Sequence, residues 1–160
     1  SFPDKPILFT EGTVEAFSTD KYQYWPNAER YGFSMIRDFN RGTVGWTDWN
    51  LLLDQTGGPN HVSNFCFAPI HGDTSTGELI YTPTYYYIGH FSKFVGPDSV
   101  RISTSVSRNV VLATSFLNPD GTMATIVMNK SNDSINYSFF LNDRQVDLTI
   151  PPRAMQTLVY

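Results

Sequence analysis

The pattern of hydrophobic residues changes once along this chain, and the change limits the folds available to it. Residues 1–95 alternate between strand-like and helix-like segments with long loops, whereas residues 96–160 contain strand-like segments only. Alternating strands and helices are typical of a parallel sheet, and a run of short strands is typical of a β-sandwich. We therefore expect two domains, residues 1–96 and residues 97–160, that meet at Gly96-Pro97.

The first half predicts two strands around a helix. A short apolar run, Pro6–Thr10, ends at Glu11 and is typical of a strand buried on both faces. A helical pattern opens at Pro26, and Gly42 stands where a C′ glycine would end that helix. A second strand is predicted over residues 43–50.

The long polar segment that follows these strands, residues 54–77, is predicted to be a functional loop, and residues 85–94 a second helix. Two β/α units are too few to close a barrel, because an eight-stranded barrel needs about 250 residues. Glu11 and the segment 46–50 both follow predicted strands, and barrel enzymes place catalytic groups at such strand ends. The pattern therefore indicates the last two units of a (β/α)₈ barrel, with a small open α/β unit as the alternative.

The second half predicts six strands of an antiparallel sandwich, separated by turn signals such as the one at 118–121. The strands are expected at 99–106, 110–117, 123–129, 135–141, 145–150 and 154–160. Alternation with a period of two predicts that one set of side chains faces inward: Val100, Ile102, Val111, Ile126, Val146, Leu148 and Ile150.

Composition excludes several classes of function. The chain has 160 residues, a net charge of -4 and no basic stripe, so we expect no nucleic-acid partner. No apolar run approaches the ~20 residues that span a bilayer, and no signal peptide is visible. Localisation is left open, and a soluble, secreted protein is compatible with these features. Cys66 is the single cysteine, and His61, His71 and His90 lack metal-ligand spacing. We therefore expect neither a metal site nor a cofactor.

Three groups of residues could carry chemistry. Glu11 ends an apolar strand, where a carboxylate is costly unless it has a task or a partner, although it could simply face water. The segment Trp46–Asn50, with Asp48 between two tryptophans, is either a sugar-binding platform or a core tryptophan beside a hydrogen-bonded aspartate. The loop 57–65 carries amides that either read hydroxyl groups or cap turns.

These segments resemble glycoside hydrolase family 30, and most closely its glucosylceramidase-like branch. The resemblance extends over the whole chain and rests on five blocks: Ile7–Gly12, Val44–Leu51, Gly57–Asn60, Asn64-Phe65 and Ile88–Phe94. Thr10 and Gly12-Thr13 depart from the Ser-Glu-Ala-Cys sequence that is common around the family's nucleophile.

The resemblance implies a (β/α)₈ barrel with a β-sandwich at its side and a retaining mechanism. It implies that Glu11 is the nucleophile, that Trp49 contacts the sugar, that Asn64 and Phe65 lie at the mouth of the pocket, and that Asp48 lies close to the substrate. The family's acid/base is a glutamate that follows an asparagine. No Asn-Glu pair occurs here, so that carboxylate is expected in an upstream segment or a second chain.

The implied partners are a β-glucoside or glycolipid substrate and the remainder of the barrel. Two other interpretations remain open. One is a non-catalytic carbohydrate-binding β-sandwich module, which would need exposed aromatic residues in residues 97–160. The other is a structural interaction domain, which would leave the Trp46–Asn50 segment unexplained.

Overall fold

The computed structural model describes residues 4–160, so the first three residues of the predicted barrel portion lie outside it. The chain forms two compact units, one up to Gly89 and one from His90 onward. No helix in the described part of the chain is long and apolar enough to cross a membrane. The first unit contains β1 (Ile7–Gly12), β2 (Val14–Glu15), a 3₁₀ turn (Thr19–Lys21), α1 (Trp25–Asn40), β3 (Thr43–Asp48), β4 (Leu52–Asp54), β5 (Cys66–Phe67), β6 (Ile70–Gly72), β7 (Leu79–Tyr81) and most of α2 (Pro83–Ser92).

Strands β1 and β3 form the parallel pair that the sequence predicted. Their register joins Ile7 to Thr43 at one end and Gly12 to Asp48 at the other, with irregular pairing between Phe9 and Gly12. Helix α1 connects the two strands, as a parallel pair requires of its crossover. The strand–helix–strand unit is therefore confirmed, and both carboxyl ends lie at the same edge.

Helix α1 buries one apolar face and ends where the sequence predicted. Tyr31, Met35 and Ile36 are buried, and Phe39 is half-buried. The helix ends where the Gly42 N–H donates to the Phe39 carbonyl at 3.1 Å. Gly42 has a φ of +99°, a conformation that glycine adopts without a steric penalty.

The expectation that β1 is buried on both faces is wrong for this chain. Ile7 is 59% exposed and Leu8 is 61% exposed. Among the described residues β1 pairs with β3 alone, which leaves its other edge open. A residue in a two-stranded sheet lacks the neighbours that would cover it, whatever its hydrophobicity.

Short strands that the sequence did not reveal lie within the predicted long loop and next to its ends. Strands β4, β6 and β7 form a three-stranded sheet in that order, and β2 pairs antiparallel with β5. These strands have two or three residues each, too few to display a period of two. The loop segment is therefore fixed by strand pairing at several positions.

The second unit contains two sheets built from β8 (Val100–Ile102), β9 (Val111–Leu117), β10 (Met123–Asn129), β11 (Ile135–Leu141), β12 (Arg144–Ile150) and β13 (Met155–Val159). One sheet has the order β13-β10-β9-β8, and the other pairs β11 with β12. A core cluster of Val111, Ala113, Val127, Ile135 and Ile150 joins the two sheets. The six predicted strands are confirmed, and three of them, β8, β9 and β13, are shorter than expected.

Two of the seven side chains that were predicted to face inward are exposed. Val111, Ile126 and Ile150 are buried, whereas Val100 is 62% exposed and Val146 is 53% exposed. Val100 lies in a three-residue strand at the edge of its sheet, and Val146 lies in the two-stranded sheet. At such edges the period of two still holds, but one face has no neighbouring layer to cover it.

Asn129 closes one end of the sandwich core. It is fully buried, and its Nδ2 donates to the carbonyls of Asp133 and Pro151 at 2.7 and 2.8 Å. Its Oδ1 accepts from the N–H and the hydroxyl of Ser131 at 2.9 and 2.8 Å. A buried amide with its donors and acceptor engaged is stable in an apolar core and fixes the turn that follows β10.

Candidate active site

The carboxyl ends of β1 and β3 bring the first two predicted site residues to one junction. Glu11 immediately precedes Gly12, and its side chain is exposed. Trp49 immediately follows Asp48, and its N–H donates to the Gly12 carbonyl at 2.7 Å. The Trp49 side chain is 59% exposed. A carboxylate and an indole are thus presented from adjacent strand ends.

Trp46 is half-buried and packs against two aromatic rings. Its ring stacks on Phe9 at a centroid distance of 4.7 Å and meets the Tyr31 ring edge-on at 5.3 Å. Its Nε1–H donates to the Asp38 carboxylate at 3.3 Å. Of the two interpretations of the Trp46–Asn50 segment, the core interpretation fits Trp46, while the exposed ring of Trp49 fits a binding surface.

Asp48 is held by hydrogen bonds rather than left open to solvent. Its Oδ1 accepts from the Tyr31 hydroxyl at 2.8 Å and from the Trp49 N–H at 3.0 Å. Its Oδ2 is buried and has no partner among the described residues. Burial raises the pKa of Asp48 to about 6, although the bonds from Tyr31 and Trp49 favour the charged form. Burial, and then the charge of Asp48, raise the pKa of Tyr31, so its phenol stays protonated and remains a donor.

The loop residues Asn64 and Phe65 lie against the segment that follows Glu11. The Phe17 N–H donates to the Phe65 carbonyl at 3.1 Å, next to the paired strands β2 and β5. The Asn64 Nδ2 donates to the Glu15 carboxylate at 3.3 Å. Sequence reasoning missed Glu15, because a two-residue strand gives no pattern that would relate it to a residue so far along the chain.

Asp54 shapes the start of the same loop. Its Oδ1 accepts from the N–H and hydroxyl of Thr56 at 2.7 and 2.6 Å, and from the Gly58 N–H at 3.0 Å. The hydroxyl bond from Thr56 is the main reason that the pKa of Asp54 lies below its usual range. The Asp-x-Thr spacing is a known turn signal and could have identified this residue from the sequence.

His71 joins the loop to the small sheet. It is fully buried, its Nε2 accepts from the Ala68 N–H at 3.0 Å, and its Nδ1 lies 2.8 Å from the Asp54 carbonyl. Because Nε2 is the acceptor, the proton of the neutral ring is on Nδ1 and is donated to Asp54. Burial lowers the pKa of His71 and favours this neutral form.

The five predicted site residues therefore converge on one stretch of chain, residues 11–17. Asp48 and Trp49 reach it through β3, and Asn64 and Phe65 reach it through β5. Within residues 4–160 no group of three histidine, cysteine, aspartate or glutamate side chains is placed to hold a metal ion. What the site offers is an exposed carboxylate and an exposed indole at adjacent strand ends, and an amide bonded to Glu15.

The elements described above define a class of fold, a fragment of a (β/α)₈ barrel followed by a β-sandwich. The family model for the glycosyl hydrolase family 30 TIM-barrel domain matches residues 1–95, and that for the family 30 β-sandwich domain matches residues 98–158. The chain belongs to glycoside hydrolase family 30.

Named relatives agree with this assignment. The lysosomal acid glucosylceramidase of Mus musculus is 38% identical over 112 residues, which is 69% of this chain and 22% of that protein. The crystal structure of SrfJ from Salmonella typhimurium is 36% identical with a TM-score of 0.94, over 99% of this chain and 35% of that one. An endo-β1,6-glucanase is 27% identical with a TM-score of 0.81, over 98% of this chain and 35% of that one. The chain spans about a third or less of the length of the relatives it matches.

Proposed function

We propose that this chain is the nucleophile-bearing part of a retaining β-glycosidase, and that Glu11 is the nucleophile. The observation that carries the proposal is the position of Glu11, an exposed carboxylate at the carboxyl end of β1, next to the strand end that Trp49 follows with an exposed indole. Carboxyl ends of barrel strands are where (β/α)₈ enzymes hold their reacting groups. The sugar-facing side chains would be Trp49, Asn64 and Phe65.

The reaction is a double displacement. Glu11 attacks the anomeric carbon as a carboxylate while the glycosidic C–O bond breaks, and a second carboxylic acid gives its proton to the leaving oxygen. The second group then takes a proton from water, which attacks the glycosyl-enzyme and releases Glu11. The two carboxyl groups must lie ~5 Å apart for this chemistry. Trp49 and Asn64 would orient the sugar and so lower the entropic cost of the first step.

The acid/base would come from the remainder of the barrel, either an upstream segment or a second chain. The exposed apolar residues of β1 support this part of the proposal, because Ile7 and Leu8 are what a further strand of a closed barrel would cover. We also propose the domain boundary at Gly96-Pro97. The two family matches, which end at residue 95 and resume at residue 98, support it.

The substrate we propose is a β-glucoside of the glucosylceramide type. The mouse relative is named a glucosylceramidase, and this supports the proposed substrate class. A protein with a similar fold is named an endo-β1,6-glucanase, so the fold alone does not specify the substrate. A non-catalytic carbohydrate-binding sandwich is less well supported, because the convergent side chains belong to residues 11–65 and not to the sandwich.

The test is substitution and labelling of Glu11 in the enzyme assembled from this chain and the remainder of the barrel. Glu11→Gln should lower kcat by at least about 10⁴-fold with an unchanged melting temperature, because an amide of the same shape cannot act as the nucleophile. A 2-deoxy-2-fluoro β-glucoside that traps the glycosyl-enzyme should modify Glu11, as read by mass spectrometry of a digest.

The matched control is Glu78→Gln, since Glu78 is an exposed carboxylate that follows the loop of residues 54–77 in the sequence. This variant should keep its kcat within about twofold. Attachment of the label to Glu15, Asp48 or Glu78 would overturn the assignment of Glu11 and with it the proposed mechanism.

A further inference from the structure

The backbone N–H of Trp49 donates two hydrogen bonds. That N–H donates to the Gly12 carbonyl at 2.7 Å and to the Asp48 Oδ1 at 3.0 Å. The first contact ties Trp49 to the strand that carries Glu11. The second ties it to a side chain that is itself held from helix α1 by the Tyr31 hydroxyl at 2.8 Å. The backbone of Trp49 is therefore fixed relative to β1, β3 and α1.

Asp48 is poorly placed to bind a sugar itself. Its Oδ1 already accepts two hydrogen bonds, and its Oδ2 has almost no exposed surface. A buried acceptor without a donor costs free energy, and such an atom in a native protein calls for an explanation. A role in positioning Trp49, the next residue, gives this buried carboxylate a function at the strand end.

Tyr31 is suited to hold that carboxylate. It is 5% exposed, its ring is fixed edge-on against Trp46, and its phenol stays protonated. The hydroxyl therefore has one orientation in which it donates to Asp48. Loss of this donor would leave a buried carboxylate with the Trp49 N–H as its remaining partner among the described residues.

We propose that Tyr31 and Asp48 form a positioning pair that holds Trp49 in the orientation in which its indole contacts the sugar beside Glu11. This inference rests on the proposed function, since it assumes that Trp49 binds the sugar. It assigns to Asp48 a role through Trp49 in place of direct contact with the substrate.

The test measures KM and kcat separately in the assembled enzyme with an aryl β-glucoside. Tyr31→Phe and Asp48→Ala should each raise KM about tenfold while kcat changes less than about threefold, because Trp49 contributes to substrate binding in both the ground state and the transition state. Asp48→Asn should recover most of the loss seen with Asp48→Ala, because its amide oxygen can still accept from Trp49. Melting temperatures would verify that each variant is folded.

A double-mutant cycle separates positioning from general destabilisation. In a Trp49→Ala background, Tyr31→Phe should change KM by less than about twofold, because the residue through which the pair acts is absent. Tyr137→Phe is the matched control, since it removes a tyrosine hydroxyl bond to Gln156 of 3.0 Å in the second unit. It should leave KM unchanged.

Additive effects of Tyr31→Phe and Trp49→Ala on KM would overturn the positioning pair, as would a KM within twofold of the parent enzyme in both Tyr31→Phe and Asp48→Ala. In either case labelling of Glu11 by the trapped inhibitor would be unaffected. Failure of this inference can therefore be told apart from failure of the proposed function, in which the label would lie elsewhere.

Discussion

Gly12 is the residue on which the junction of β1 and β3 depends most directly. A Cβ atom built at this position would lie 2.5 Å from the Trp46 Cη2 and 3.3 Å from the Phe9 Cε1. Both rings are packed against each other, so neither can move aside without loss of the stack. The glycine leaves room for the Trp46 ring next to the strand end that carries Glu11.

Gly12→Ala should therefore destabilise the assembled protein by about 1–3 kcal/mol, the usual cost of overpacking. Differential scanning calorimetry would measure it. Gly89→Ala is the control, because a Cβ at Gly89 in helix α2 meets nothing within 4 Å. That variant should gain about 0.5–1 kcal/mol through helix propensity. Equal melting temperatures for the two variants would contradict the packing argument.

The elements around His71 make the stability of the loop sensitive to pH. The neutral ring donates to the Asp54 carbonyl and accepts from the Ala68 N–H, so protonation of Nε2 would replace an acceptor with a donor facing the Ala68 N–H. Burial lowers the pKa of His71 below 6.5 in the folded state. The unfolded chain then binds more protons than the folded chain in the window just below pH 6.5, so stability falls as the pH falls through that window.

The expected outcome is a free energy of unfolding that decreases from pH 7.5 to pH 5.5 more steeply in the parent protein than in His71→Gln. Denaturant titrations at each pH would measure it. Asp48 acts in the opposite direction, because its raised pKa of about 6 makes stability fall as the pH rises, but this contribution cancels in the comparison. His61→Gln, at an exposed histidine, should retain the parent slope; a parent slope in His71→Gln would contradict the argument.

Elements with a clear period were predictable, and the short ones were not. The 3.6 period of α1, with Gly42 after it, follows from burial of one face of the helix, which is local information. Strands β4 to β7 exist because of pairing between residues distant in sequence, and two or three residues cannot display a period. The exposure of Val100 and Val146 likewise depends on which layers lie opposite them.

The candidate site also has residues that could be predicted from the sequence and contacts that could not. Glu11, Trp49, Asn64 and Phe65 could be chosen from the sequence because they follow strands or belong to a motif that resembles a family. The contacts of Glu15 with Asn64 and of Tyr31 with Asp48 could not, since each joins side chains on different elements. A sequence pattern indicates which face a residue occupies but not which side chain on another element it meets.

At the scale of the whole molecule, the first unit exposes several apolar side chains on its parallel strand pair. Ile7, Leu8 and Val44 lie on the two-stranded sheet, and β1 has an open edge in the described part of the chain. Open edges and bare apolar faces favour association between chains. We therefore expect purified residues 1–160 to be poorly soluble and to show no β-glucosidase activity.

Sedimentation and a fluorogenic β-glucoside assay of the purified chain would test this expectation. The chemistry gives an independent reason for inactivity, because a retaining enzyme needs a second carboxylic acid for the leaving group. Addition of the remainder of the barrel should restore both solubility and turnover. Turnover by residues 1–160 alone would contradict the proposed division of the two carboxyl groups between this chain and the remainder.

The buried side chain of Asn129 at the end of the sandwich also limits which asparagines could be N-glycosylated. Asn129, Asn132 and Asn136 each begin an Asn-X-Ser triplet, the acceptor pattern for N-linked glycans in a eukaryotic secretory pathway. The Nδ2 of Asn129 is enclosed and donates to the carbonyls of Asp133 and Pro151. A glycan attached there before folding would prevent the sandwich from closing around β10, so in such a host a folded chain would carry glycans at the exposed Asn132 and Asn136 only.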